Sequence, residues 1–300
     1  MKTRRVFVSM PADNWLTAPE NELKWAIVSR IEKLGYVSEV FFDPRGTTSL
    51  AASRAWSAPE CEEVMRRCEG CALLGFPRWR PGAGQLGLPT DFSHYEGGLA
   101  YTLKLPLLTY AHEDIERRVV FDRSFKGYVG TIPRTAGKAW LRSKAFDVPF
   151  KYWTDDMAHR RDIFLGYCSS SASTAKKVKT YLTAGLGLSV LDWATDFDPA
   201  RTILQQIDDA SRRCGAGIFL FTKDDELLST DLVSRQAPRD NVVFEAGYFA
   251  AAKGKARMLV VLEAGAKMPA DLGGDIYAAL PKRSNIDAIK PVLSKFAASL

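Results

Sequence analysis

The chain has 300 residues, 46% hydrophobic and 25% charged, which suits two folded domains with cores of their own and excludes a disordered chain. Its net charge of +6 is modest and spread over both halves, which argues against DNA as a partner, and no apolar run approaches the roughly 20 residues of a membrane span. Cys61, Cys68, Cys71, Cys168 and Cys214 are odd in number and widely spaced, unlike a disulfide framework, and three histidines are too few for a histidine-built metal centre. Cys68 and Cys71 form a C-x-x-C without a second pair, so both are read as buried thiols.

In chain order, Arg5 to Met10 reads as a first strand, because Asp13 follows too soon for a signal peptide; the expected compartment is the cytoplasm. Glu22 to Leu34 has helical periodicity through Leu23, Ile27, Ile31 and Leu34, and Gly35 ends it. A strand over Val37 to Phe42, a helix opened by Pro59, a buried strand over Cys71 to Phe76, a helix through Glu96 to Thr102 and a strand over Leu105 to Tyr110 follow. Gly82 to Gly87 matches G-x-G-x-x-G but opens no helix, so it is a loop. The basic run Arg123, Lys126, Arg134, Lys138, Arg142 and Lys144 reads as a solvated linker or as a surface facing a nucleotide phosphate.

The second half repeats the pattern more cleanly. Asp162 to Gly166 is a strand, Cys168 to Ser173 a turn, Lys176 to Leu182 a helix and Leu188 to Trp193 a strand. Asp198-Pro199 is expected to open a helix with Ile203, Leu204 and Ile207 inward, before strands over Gly217 to Thr222 and Arg257 to Leu262. Strands alternating with helices predict an α/β protein with two doubly wound parallel sheets, a duplication of one plan. The boundaries are 1–136 and 161–300, with 137–160 as a linker.

Ligands of such sheets bind where loops leave the carboxyl ends of the strands. Arg239-Asp240-Asn241-Val242-Val243-Phe244-Glu245 sets a single acid in apolar company, read as lying at a helix start. A carboxylate there can hold ribose hydroxyls and stabilise positive charge developing on the sugar. Gly166, Ser169 and Ser170 belong to a strand-to-helix turn, Trp193 and Phe197 can stack a ring, and Asp224, Arg239, Asp240 and Asn241 can bind phosphate or ribose. Asp91, His94 and Glu96 form a fainter echo in the first half and a second candidate site.

Ile163 to Gly166 with Ser169-Ser170, Trp193 with Phe197, Phe221 to Asp225, the R-D-N-V-V-F-E block ending on Glu245, and Pro269 to Gly273 together resemble a family of bacterial TIR domains over roughly 160–285. These are effectors of cyclic-nucleotide antiphage systems, fused to STING in one system and to a cyclic-nucleotide-binding module in Pycsar. Ala246-Gly247-Tyr248-Phe249 departs mildly from the usual Leu-Gly-Leu-Phe. The resemblance implies cleavage of NAD, as substrate and not cofactor, with Glu245 catalytic, and implies a cyclic-nucleotide or related activator and homo-oligomer formation. The first half more loosely resembles nucleoside deoxyribosyltransferase-like domains, with Glu96 before a final strand, and is expected to sense a ligand. Two other readings stand beside this one: a non-catalytic nucleotide sensor or TIR scaffold, and an N-glycosidase acting through Glu96.

Overall fold

The computed structural model describes residues 3–46, 50, 55–82, 84–126, 128–198, 200–228, 234–272 and 277–300. Backbone contacts divide these into two compact units, Thr3–His159 and Arg160–Leu300. The first contains β1 (Arg5–Ser9), α1 (Ala18–Glu32), β2 (Val37–Glu39), α2 (Ala58–Arg66), β3 (Gly70–Gly75), α3 (Asp91–Thr102), β4 (Leu107–His112), the single turn α4 (Arg123–Lys126), β5 (Gly130–Ile132) and α5 (Lys144–Ala158). The second contains β6 (Arg161–Gly166), α6 (Ala172–Thr180), β7 (Val190–Asp192), the turn α7 (Trp193–Asp196), α8 (Ile203–Arg213), β8 (Cys214–Phe221), β9 (Asp225–Leu228), β10 (Ser234–Ala237), α9 (Asp240–Lys253), β11 (Met258–Glu263), β12 (Tyr277–Leu280) and α10 (Lys290–Ala298).

Each unit holds one five-stranded parallel sheet, ordered β2-β1-β3-β4-β5 in the first and β7-β6-β8-β11-β12 in the second. Counted from each unit's own start, both orders are 2-1-3-4-5, a doubly wound plan whose switch point lies between the first and third strands. The β9–β10 hairpin is antiparallel and stands apart from the sheet. Strands covered on both faces must be apolar throughout, which is why β3 and most of β8 are buried along their length. In the second unit, Ile163, Leu165, Ile218 and Leu220 pack on Val178, Leu182 and Leu293, while Phe164, Phe219 and Phe221 face Val242, Ala246 and Phe249.

Two expectations are corrected. The segment 137–160 is not a linker: Ser143 caps α5, whose Phe146, Phe150, Trp153 and Met157 join the core built on Val6, Val8 and Leu74. Its helical apolar spacing outweighs the exposed basic residues that suggested solvent. Of the basic run, Arg134 pairs with Asp114 and Lys138 with Glu22 of the same unit, and both cations are exposed. Finally, α8 begins at Ile203 and not at Asp198-Pro199, because Thr202 and Gln205 form a capping box. Ile203 and Leu204 then fall in the first turn and are exposed, while Ile207 is buried; Pro199 lies outside the described residues.

The G-x-G-x-x-G segment is a loop, with Gly87 and Leu88 in isolated bridges to Ile115 and Trp79; Ala83 lies outside the described residues. All five cysteines are buried and free, and burial pushes the thiols of Cys61, Cys68 and Cys214 up. Among the described residues no helix is long and apolar enough to cross a membrane, and no group of side chains is arranged to hold a metal ion.

Trp153 is 2% exposed and its indole N–H donates to the Pro106 carbonyl at 3.2 Å. Trp153→Ala is therefore expected to cost about 3–5 kcal/mol, read as a lower urea midpoint. An unchanged midpoint would return α5 to the status of a surface connection.

Candidate active site in the C-terminal unit

A cavity of about 300 Å³ opens at the carboxyl end of the second sheet, lined by Tyr167, Cys168, Ser169, Trp193, Phe197, Ile203, Arg239, Asn241, Val242 and Glu245. Its walls come from the loops after β6 and β7 and from the start of α9, so it sits at the switch point between β6 and β8.

Glu245 is the sixth residue of α9, counted from Asp240, and not a helix-start residue as the sequence indicated. The helix macrodipole fades beyond the first turn, so helix stabilisation does not account for this carboxylate. Glu245 is 7% exposed, and its Oε2 has no hydrogen-bond partner among the described residues. Burial alone pushes its carboxyl up to about 8. A Cβ on Gly166 would lie 2.7 Å from that Oε2 and 2.5 Å from the Phe219 ring. Gly166, which ends β6, thus makes room for the carboxyl by having no side chain.

The neighbouring groups are held from behind. Tyr167 donates its hydroxyl to Asp192 at 2.7 Å, Lys179 also reaches Asp192, at 3.0 Å, and the Trp193 indole donates to the Tyr167 carbonyl at 3.0 Å. Phe197 stacks on Phe164, which stacks on Phe249 of α9. Arg239 is half exposed at the rim and pairs with Asp225 at 3.2 Å. Burial raises the Cys168 thiol, but hydrogen bonds with Ser170 and Ser169 outweigh it and hold the group below its usual range.

Of the sequence-predicted binding residues, the fold brings Ser169, Trp193, Phe197, Arg239 and Asn241 to Glu245. Ser170 and Asp224 serve another purpose. Ser170 donates to the buried Asp224, which also accepts from Thr222 at 2.7 Å and faces Arg283 at 3.5 Å, pinning the Ser169–Ser171 turn to the end of β8. Asp240 is exposed and not among the lining residues. Tyr167, Cys168, Ile203 and Val242 escaped the sequence reading; the apolar Ile203 had been assigned to the core, and its place after a capping Thr was the signal available.

The second candidate set divides. Glu96 lines a cavity of about 110 Å³ at the end of the first sheet, whereas Asp91 is exposed and His94 packs against Phe121, and neither lines that cavity. Glu96 accepts from the Trp56 indole at 2.8 Å. Burial still raises its carboxyl to about 7, against bonds from Ser9 and Trp56 that act to lower it.

The C-terminal half is thus a doubly wound α/β unit with a desolvated glutamate and aromatic walls at its switch point. Residues 162–282 match the family described as CAP12/Pycsar effector protein, TIR domain, and the C-terminal unit carries that TIR domain. The chain is 29% identical over 139 residues to CD-NTase-associated protein 12 of Lachnospiraceae bacterium (strain RUG226), covering 46% of this chain and 43% of that protein. To the protein of the same name in Flavobacterium daejeonense it is 34% identical over 113 residues, 37% of this chain and 35% of that one. Escherichia coli (strain K12) YuaY, named as uncharacterized, is 32% identical over 97 residues, covering 32% of each chain. These matches span less than half the length of the curated relatives.

Proposed function

We propose that this protein is an effector of antiphage defence that cleaves NAD at the ribosyl–nicotinamide bond, gated by a nucleotide-type signal and by association of its own copies. The observation that carries the reading is Glu245, a buried carboxyl with an unpartnered oxygen in a ring-lined cavity of a TIR domain. Cleavage of this bond builds positive charge on the ribose, much as in glycoside hydrolysis. Nicotinamide leaves as a neutral molecule from a cationic ring, so the step needs no proton donor. A carboxylate against the sugar supplies the missing negative charge. Desolvation in the cavity favours the neutral acid, and a bound cationic ring would favour ionisation, so charge would develop on Glu245 when substrate arrives. Trp193 or Phe197 would flank a ring, Ser169 and Asn241 would meet ribose hydroxyls, and Arg239 at the rim would meet phosphate.

The test is nicotinamide release from NAD by the purified full chain, alone and with a panel of cyclic nucleotides. Release is expected to rise with pH, since kcat/KM follows ionisation of the free carboxyl near 8. NAD binding without release under every activator would favour a scaffold. A flat profile between about pH 6 and 9 would remove Glu245 from the charge-stabilising role.

A further inference from the structure

We infer that Arg283 and Asp224 are positioning residues of the C-terminal site, closing a polar clasp that fixes the turn after β6 and so sets where the Ser169 hydroxyl stands in the cavity wall. Asp224 lies beyond the end of β8 and Arg283 beyond the end of β12, and both converge on the Ser169–Ser171 turn that opens α6. Ser169 lines the cavity, while its neighbours Ser170 and Ser171 take the bonds of the clasp.

The Arg283 guanidinium donates from Nε to Glu263 at 2.7 Å and from Nη2 to the Lys223 carbonyl at 2.7 Å, and its Nη1 reaches the Ser170 hydroxyl at 3.4 Å. Glu263, which ends β11, also accepts from the Lys223 backbone N–H at 2.8 Å. One planar fork of donors therefore ties the carboxyl ends of β8, β11 and β12 to the turn after β6, a task that a single ammonium could not perform. Further bonds close the clasp. Ser170 donates to Asp224, the Ser171 hydroxyl pairs with Thr222 at 2.6 Å, and the Thr174 hydroxyl of α6 donates to the Arg283 carbonyl at 2.9 Å.

The Asp224 side chain is fully buried and that of Glu263 is 8% exposed, with Arg283 facing both and Lys223 Nζ 3.8 Å from Glu263. Buried ion pairs are a weak source of stability, because desolvation offsets much of the attraction. What a connected set of directed bonds supplies is one fixed geometry. The turn needs that help, since of its three serines Ser171 alone is buried and little apolar contact holds the others. Glu245 stands on α9 and takes no part, so the clasp governs how a ligand is held and not the charge that acts on it.

The kinetic consequence rests on the NAD reaction proposed above, whereas the position of the turn does not, so each has its own readout. The first is nicotinamide release by the full chain. Arg283→Met and Asp224→Asn are each expected to raise KM for NAD about tenfold through the loosened Ser169 contact. Their kcat is expected to stay within about twofold of wild type, as for a loss of uniform binding. In a Ser169→Ala background the same substitutions are expected to add less than about twofold. The second readout is alkylation of Cys168, beside the turn and on the cavity wall, by iodoacetamide at about pH 9.5, where a thiol is ionised in every variant. Peptide masses are expected to show Cys168 labelled about tenfold faster in both variants, as the turn opens locally. Cys214, fully buried in the same unit, is expected to stay unlabelled. Unchanged KM with unchanged Cys168 labelling would overturn the proposal, as would a full tenfold effect in the Ser169→Ala background. Cys214 labelled in step with Cys168 would also overturn it, by showing that the whole unit loosens. No nicotinamide release from wild type would remove the NAD reaction alone, and Cys168 labelling would then decide the clasp.

Discussion

Glu245→Gln is expected to lower nicotinamide release by about 10²–10³-fold, the loss seen when one charge-stabilising group is removed, and at the same time to make the protein harder to unfold at alkaline pH. The second half follows from linkage. Burial moves the carboxyl from 4.5 to about 8 in the folded chain, and among the described residues no charge or hydrogen bond acts against it. Between those values the folded state keeps a proton that the unfolded chain has released, so stability falls as pH rises through that window. The full shift corresponds to roughly 5 kcal/mol as an upper bound. Glutamine has no proton to lose, so the melting-temperature lead of Glu245→Gln over wild type is expected to widen from about pH 5 to about pH 9. A variant less stable than wild type throughout would mean that the carboxylate has a favourable partner in the fold. Loss of activity with gain of stability is the signature of a group kept for chemistry.

Gly166→Ala is expected to impair the same site from the opposite side. Its new Cβ would meet Glu245 Oε2 at 2.7 Å and the Phe219 ring at 2.5 Å, closer than real Cβ contacts come. Phe219 is fully buried between Phe164 and Phe249, so it has little freedom to retreat and the carboxyl must move. Displacing a reacting group by about 1 Å can cost about 100-fold in rate, and the overpacking itself about 1–3 kcal/mol. Gly247→Ala is the matched control, because a Cβ at that exposed helical position meets nothing within 4 Å. It is expected to leave the rate unchanged and to gain roughly 0.5–1 kcal/mol. Equal rates for the two variants, measured beside urea melts, would dismiss the cradle.

Part of the candidate site's lining is legible in the sequence. Glu245 stands alone among apolar residues, so its carboxyl must be buried without local help, and the surrounding block marks a TIR domain. What local reading could not do was sort its polar neighbours. Ser169 and Ser170 are adjacent and chemically identical, yet one lines the cavity and the other bonds to Asp224. That choice is made by Asp224, contributed from beyond the end of β8, with Arg283 facing it from much later in the chain. The stretch 137–160 was misread for a related reason. Its charges are exposed on one side of α5 while Trp153 and Met157 enter a core whose other wall is built from Val6 to Leu74.

The sequence by itself determined the alternation of buried strands and helices and the repetition of one sheet plan in both halves, and it offered one candidate glutamate in each. Those features are carried by periodicity, caps and residue type within single elements. Only the tertiary structure decided that Glu245 lies in the second turn of α9, that Gly166 clears its place, and that Glu96 alone of its trio faces a cavity. Cavities at a switch point are made by elements far apart in the chain. Their membership depends on how β6, β8 and α9 pack together, and no local pattern encodes that packing.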